Sequence, residues 1–235
     1  MVGYNLGFSS FLNHSFERAC SICFIFVPLM WEWILKIFGY RREKIEEDPM
    51  KYLIVGLGNM HPDYDDTRHN IGFDVVDVLA EKASASWKLS NLGAITEIKH
   101  RGRKLILLKP STYMNRSGKA VRYWMEKEKI PIERVLIVVD DINLSLGLLR
   151  MRAKGSDGGH NGLKDIQTTL GNNKYPRLRI GIGNDFYKGQ QVDYVLGKWT
   201  SDERNQLPEI LEKAGKAAKS FAAIGLGHTM SQYNG

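Results

Sequence analysis

The sequence predicts a single α/β domain, in which a twisted mixed β-sheet is flanked by helices on both faces. Short apolar runs that end in glycine or aspartate alternate with segments whose apolar residues recur at helical spacing. Strands interleaved with helices form sheets that helices cover on both sides. A turn at Gly102 also joins two neighbouring strands, and this hairpin makes part of the sheet antiparallel.

The predicted strands are short apolar or alternating runs. They cover residues 51–56, 94–100, 104–109, 134–140, 147–154, 177–183 and 192–199. The predicted helices have apolar side chains on one face, and Asn70 can cap the first of them. They cover residues 71–83, 117–129, 161–170 and 201–223. In the run 147–154 apolar and basic residues alternate, so one face of that strand is buried and the other is basic.

Residues 1–49 differ from the rest of the chain and are predicted to be a separate N-terminal extension. The mostly apolar stretch 19–31 is shorter than the about 20 residues that a membrane span needs, and Pro28 interrupts it. A charged run then precedes Met50 and the first strand. We favour a start-codon artefact or a disordered appendage, with a membrane-surface helix as the alternative. The Cys20–Cys23 pair lacks the further nearby ligands of a zinc site.

The folded body, residues 50–235, is basic. The chain has 33 Lys and Arg against 26 Asp and Glu, a formal charge of +7, and residues 1–49 hold only five of the basic side chains and six of the acidic ones. This excess suits a polyanionic partner such as nucleic acid, although a basic solvated surface explains it equally well. The body has no cysteine, which excludes a disulfide and a cysteine nucleophile there and fits a reducing cytosol.

Several enzyme classes are disfavoured because their motifs are missing. The body has no G-x-x-x-x-G-K-[ST] loop for nucleotide phosphates, no G-x-S-x-G serine elbow and no H-E-x-x-H zinc motif. Gly56-Leu57-Gly58 follows the first strand as in a dinucleotide-binding turn, but the closing glycine of that fingerprint is absent. We therefore expect neither a nucleotide cofactor nor a metal.

Polar residues with catalytic potential follow several of the predicted strands, where ligands bind to such sheets. They are His69, Asp140 and five asparagines: Asn59, Asn70, Asn115, Asn143 and Asn161. A neutral imidazole can take a proton from water, a carboxylate can orient it, and amides can stabilise an oxyanion. The set fits hydrolysis by activated water, with a structural histidine as the alternative on these residues alone.

Six segments of the body occur in a recognisable order. They are LIVGLGN, TRHNIGF, KPSTYMNRSGKAV, VVDDINLSLG, GSDGGHNGLKDI and RLRIGIG. With these motifs, residues 50–235 closely resemble the bacterial-type peptidyl-tRNA hydrolases. The resemblance implies one α/β domain that cleaves the ester between a peptide and tRNA, releasing tRNA from peptides dropped by ribosomes. It also implies a cytoplasmic monomer that needs no cofactor and has no membrane partner.

The resemblance assigns roles to individual residues. It makes His69 the general base and Asp140 its orienting partner. The asparagines that hold the peptide and the attacking water are Asn59, Asn115 and Asn161. Tyr64 and Met114 line the site, and Arg152 and Arg179 bind tRNA phosphate.

Three positions depart from the common pattern of the family. Val139 stands where many relatives have histidine, Asn143 replaces an aspartate, and Asp157 lies where some relatives have histidine. His160 is interpreted as structural. Two rival functions remain: a catalytically silent RNA-binding member of the family, and a nicotinamide oxidoreductase, which the missing glycine disfavours.

Overall fold

The computed structural model describes residues 48–235. The predictions for the Cys20–Cys23 pair and for the apolar run 19–31 lie outside the described residues. Residues Glu47–Gly235 form one compact unit, which contains all the described residues. Within residues 48–235, no helix combines the length and the apolar character that crossing a bilayer requires.

A seven-stranded mixed sheet forms the centre of the body. Its strands are β1 (Lys51–Gly56), β2 (Lys88–Ser90), β3 (Gly93–His100), β4 (Arg103–Pro110), β5 (Val135–Asp141), β6 (Leu149–Arg152) and β7 (Arg177–Gly181). They lie in the order β2-β3-β4-β1-β5-β7-β6. The four central strands are parallel, whereas β2, β3 and β6 pair antiparallel to their neighbours.

Helices cover both faces of this sheet, as the sequence predicts. They are α1 (Ile71–Lys82), α2 (Ser117–Glu128), α3 (Asn161–Leu170), α4 (Gln191–Leu196), α5 (Ser201–Ile224) and α6 (Leu226–Tyr233). Side chains from α1, α5 and α6 pack in a core on one face. Side chains from α2 and α3 pack in a second core on the other face. The predicted fold class is confirmed.

The two innermost strands, β1 and β5, are mostly apolar because both of their faces are covered. In β1, Ile54 belongs to the core under α1 and α5, while Leu53 and Val55 belong to the core under α2 and α3. All three side chains are fully buried. Polar residues therefore collect in the loops beyond the carboxyl ends of β1, β4 and β5, which lie side by side at one edge of the sheet.

The glycines after β1 allow α1 to approach the sheet closely. A Cβ atom on Gly56 would lie 2.1 Å from the carbonyl oxygen of Gly72, and one on Gly58 would lie within 2.8 Å of the Phe73 ring. Neither glycine has a positive φ. The G-x-G sequence therefore allows close packing of α1 and does not supply a positive-φ turn.

We predict that Gly72→Ala destabilises the protein by about 3 kcal/mol, the upper part of the range for overpacking a core. A Cβ atom at this position would meet the backbone of Leu57 at 2.5 Å and the carbonyl oxygen of Val138 at 2.6 Å. Urea unfolding measures the change. The matched control is Gly227→Ala in α6, where no atom lies within 4 Å of the added Cβ. Equal stability of the two variants would contradict the close packing of α1.

Three elements differ from the prediction. The run 192–199, predicted as a strand, instead contains the short helix α4, and its side chains are only partly buried. Strand β2 and helix α6 were not predicted. The β-branched and aromatic residues of the run 192–199 favour a strand locally, but this segment packs over a cleft and lies outside the sheet. Its only β pairing among the described residues is an isolated antiparallel bridge between Lys198 and Thr67. The other predicted helices and strands are confirmed, with small shifts of their ends.

Candidate active site

A cleft of about 490 Å³ opens beyond the carboxyl ends of the parallel strands. Asn59 follows β1, Met114 follows β4 and Asp140 lies at the end of β5. The amino terminus of α3 and one side of α4 complete the walls. The sheet thus brings together segments that are far apart in the sequence.

Eight of the nine predicted site residues line this cleft. They are Asn59, Tyr64, His69, Met114, Asn115, Asp140, Asn161 and Arg179. Arg152, the ninth, lies at the exposed end of the edge strand β6, outside the cleft lining. The structure therefore brings eight of these residues together in one cleft and places Arg152 on the surface outside it.

His69 and Asp140 form a buried pair. Nδ1 of His69 lies 3.0 Å from both carboxylate oxygens of Asp140. His69 sits in a short 3-10 helix, Arg68–Asn70, that leads directly into α1. The hydroxyl of Thr67 donates to the carbonyl of Tyr64 at 2.7 Å and closes the preceding loop. The 3-10 helix therefore fixes the backbone of His69, and the carboxylate of Asp140 orients its ring.

His160 is a second imidazole on Asp140, and its interpretation as a structural residue missed this contact. Its Nε2 lies 3.0 Å from Oδ1 of Asp140. Its Nδ1 accepts hydrogen bonds from the backbone N–H groups of Gly162 and Leu163 at the start of α3. Because Nδ1 is an acceptor, the ring proton must be on Nε2, which donates to Asp140. The sequence signal for this contact was the position of His160, which directly precedes the predicted site residue Asn161.

The pKa values of the pair follow from this arrangement. Burial alone would raise the pKa of Asp140, but the His69 and His160 imidazoles hold it well below its usual range. Burial opposes protonation of His69, yet the charge and hydrogen bond of Asp140 outweigh it and raise the pKa of His69 above 6.5. Asp140 is therefore ionised, and His69 is a stronger base than an isolated imidazole.

Among the described residues, His69, Asp140 and His160 also form a group whose ligand atoms lie within 4.8 Å of one another, as in a metal site. The hydrogen bonds of His160 oppose this use. A metal on Nε2 would require the ring proton on Nδ1, which faces two backbone donors. The three side chains fit a proton-holding network better than a metal centre.

Asn59 has a fixed orientation. Its side-chain oxygen accepts the backbone N–H of Met114 at 2.8 Å. Its own backbone N–H and carbonyl pair with the amide of Asn70 at 2.8 and 3.0 Å. Asn70 therefore locks Asn59, and its predicted role as a helix cap is wrong because its side chain makes no cap bond. The Asn59 NH₂ group stays available as a donor, since no described residue accepts from it.

The arginines of β7 have different surroundings. Arg179 lines the cleft, and its Nε lies 2.9 Å from Oδ2 of the buried Asp141. Arg177 is buried and donates to the backbone carbonyls of Gly155, Ser156 and Asn173. Arg177 thus holds the glycine-rich loop and is not available to an external phosphate. Asp141, the partner of Arg179, is not among the predicted site residues.

Comparison with known proteins agrees with the motifs. The family profile described as peptidyl-tRNA hydrolase matches residues 53–235. The chain is 57% identical over 185 residues to the peptidyl-tRNA hydrolase of Bacteroides fragilis, covering 79% of this chain and 99% of that protein. It is 52% identical to that of Cytophaga hutchinsonii, covering 79% and 98%. The chain belongs to the peptidyl-tRNA hydrolase family.

Solved structures place the fold in the same family. The crystal structure of the peptidyl-tRNA hydrolase from Acinetobacter baumannii matches with a TM-score of 0.74 and 36% identity. The match covers 79% of this chain and 95% of the other. The mixed sheet and the order of its helices are thus those of the peptidyl-tRNA hydrolases.

The three departures from the family pattern have local explanations. Val139 is fully buried in the core under α2 and α3. Asn143 donates its backbone and side-chain N–H groups to Asp141 at 2.9 and 3.3 Å. Asp157 accepts the backbone N–H of Gly159 at 2.9 Å and shapes the glycine-rich loop. None of the three displaces the His69–Asp140 pair.

Proposed function

We propose that this protein hydrolyses the ester between a peptide and the terminal ribose of tRNA with water activated by His69. One observation supports this above the others: Nδ1 of His69 lies 3.0 Å from both oxygens of the ionised Asp140, within an asparagine-lined cleft. The carboxylate holds the ring proton on Nδ1, which leaves Nε2 to accept a proton.

The reaction follows from these positions. Nε2 of His69 takes a proton from water as the water oxygen attacks the ester carbonyl. The carbonyl oxygen becomes an oxyanion, to which the NH₂ group of Asn59 donates. Asp140 stabilises the imidazolium. The bond between the acyl carbon and the ribose oxygen then breaks, and the imidazolium gives its proton to that oxygen, which forms the free ribose hydroxyl and regenerates neutral His69.

The peptide backbone is held by groups that do not read its sequence. Asn115 and Asn161 are exposed in the cleft and offer amides to peptide backbone. Tyr64 and Met114 form wall contacts. A free substrate ammonium would lose part of its hydration in this cleft, whereas an N-blocked substrate would not.

The acceptor end of tRNA is the proposed nucleic-acid partner. Residues 50–235 carry the positive charge of the chain, and the exposed Arg152 stands next to the buried Arg177 in the pairing of β6 with β7. We place the catalytic domain in residues 50–235. We propose that it acts as a monomer in the cytoplasm, whose reducing conditions suit its cysteine-free composition.

The deciding experiment measures tRNA release from N-acetyl-leucyl-tRNA and from unblocked leucyl-tRNA, with EDTA present. We expect hydrolysis of the blocked substrate with at least about tenfold higher kcat/KM, since partial desolvation of the free ammonium costs about 1.4 kcal/mol or more. An inactive protein that binds tRNA would support the silent RNA-binding alternative. The intact His69–Asp140 pair argues against that alternative, because RNA binding alone does not need it.

Arg152→Ala should weaken tRNA binding and lower its salt dependence. Each phosphate contact adds about 0.9 to the slope of log K against log salt, so this slope should fall by about that amount. Binding of deacylated tRNA at several salt concentrations measures it. The control is Arg122→Ala, since Arg122 is an exposed arginine on α2 that pairs with Glu126. If the slope of log K against log salt is the same in wild type and Arg152→Ala, Arg152 does not contact a tRNA phosphate.

A further inference from the structure

A buried ion pair joins the His69 turn to α5. Arg68 precedes His69 and is only 6% exposed. Its Nη2 and Nε donate to the two carboxylate oxygens of Glu203 at 2.6 and 3.2 Å. A bidentate pair of this kind fixes the direction of the guanidinium as well as its charge. We call Arg68 and Glu203 the Arg68 clamp.

The clamp also holds the end of α4. Nη1 of Arg68 donates to the carbonyl of Tyr194 at 3.2 Å, and the guanidinium lies 4.4 Å from the centre of the Tyr194 ring. The backbone N–H of Arg68 donates to the carbonyl of Gly197 at 3.1 Å. A Cβ on Gly197 would lie 3.1 Å from Nη1 of Arg68, so the two segments are in close contact. Helix α4 is therefore fastened to the turn that holds His69.

Glu203 is itself held in place. Its carboxylate accepts the backbone N–H of Thr200 at 2.7 Å, and the Thr200 hydroxyl accepts the N–H of Glu203 at 3.3 Å. Burial raises the pKa of Glu203, but hydrogen bonds from Arg68 and Thr200 outweigh it and lower the pKa below 4.5. The carboxylate is ionised at neutral pH and anchors the clamp to the start of α5.

The free side of α4 gives the cleft an apolar wall. Val192, Val195 and Leu196 line the same cleft as His69 and Asn59. Val192 is 63% exposed, although it is a large apolar residue. The hydrolytic step described above uses none of these three side chains. Because they face the space that contains the reacting groups, they are placed to contact the substrate residue whose carbonyl is attacked.

We propose that the Arg68 clamp positions α4 so that Val192, Val195 and Leu196 form an apolar subsite for the side chain of the residue esterified to tRNA. This inference rests on the proposed function and adds a substrate preference to it. Arg68 is then a positioning residue that acts through α4 and touches no reacting atom. The clamp makes hydrolysis faster for residues with apolar side chains than for glycine.

The test compares N-acetyl-leucyl and N-acetyl-glycyl esters of the same tRNA, so that the nucleic acid is constant. Complete burial of one methylene in an apolar pocket is worth about tenfold or more, but this wall leaves Val192 63% exposed and covers a leucyl side chain only in part. We therefore expect the wild type to favour leucyl over glycyl by about tenfold in kcat/KM. Arg68→Lys loses the bidentate geometry. It should bring this ratio close to one, mainly by raising KM for the leucyl substrate.

Two further variants separate positioning from folding. Val192→Ser changes the exposed wall without touching the clamp, and it should lower the same ratio by about fivefold because it removes apolar contact area. Glu203→Gln removes the clamp's charge while keeping its shape. The control is Arg204→Ala, which breaks an ion pair between α5 and Asp66 whose side chains are 51% and 60% exposed. The leucyl-to-glycyl ratio of this control should equal that of the wild type.

Equal kcat/KM for the two substrates in the wild type would overturn the inference and leave the proposed hydrolysis intact. So would an equal loss for both substrates in Arg68→Lys and Glu203→Gln, which would indicate support of the fold only. A ratio that survives in Val192→Ser would also overturn it. Hydrolysis of neither substrate by the wild type would refute the proposed function and this inference with it.

Discussion

His69→Ala should lower kcat for N-acetyl-aminoacyl-tRNA at least about a hundredfold, the lower limit for loss of a general base. The substitution removes the acceptor of the water proton, and it leaves the asparagines of the cleft in place. KM should therefore change little, because the imidazole acts mainly in the transition state. Steady-state release of tRNA with EDTA present measures both constants.

His61→Ala is the matched control for His69→Ala. His61 lies in the same loop, but its side chain is 60% exposed and pairs with the exposed Asp63. The control should keep wild-type kcat, and thermal unfolding should show both variants folded. Equal activity of His69→Ala and wild type would assign water activation to another group and leave the family membership unchanged.

The fold was predictable because the pattern that specifies it is local. Strands buried on both faces are continuous apolar runs. Residues 135–139 of β5 form such a run, so this strand can be predicted without knowing which strands lie beside it. The apolar face of α5 and its capping box at Thr200 predict a helix from the local sequence alone. By contrast, the amino-acid composition of α4 favours a strand. The segment forms a helix because it lies over the cleft, where no strand of the sheet is beside it.

The position of the site was predictable for a topological reason. His69, Asn59 and Asp140 follow or end parallel strands, and the carboxyl ends of such strands meet at one edge of the sheet. The contacts between these residues were not predictable in detail. His160 reaches Asp140 across 20 residues and Arg68 reaches Glu203 across 135, so neither contact leaves a periodic signal in the sequence.

Asp140→Asn should both slow the reaction and move its pH dependence. The general base must be neutral, so kcat/KM in the wild type should rise with pH through the raised pKa of His69, above 6.5. Asparagine removes the charge that raises this pKa, while burial continues to lower it. The inflection of the pH–rate profile should therefore shift to lower pH.

The plateau of the same profile should fall about a thousandfold, because an asparagine NH₂ can donate to Nδ1 and place the ring proton on Nε2, where the base is needed. Asp77→Asn is the control, since Asp77 is a half-exposed carboxylate that pairs with Lys109. It should keep both the inflection and the plateau. A lower plateau with an unmoved inflection would assign the titration to a group other than His69. An unchanged plateau would mean that the imidazole keeps its tautomer without Asp140, and that burial in the 3-10 helix is sufficient to orient the base.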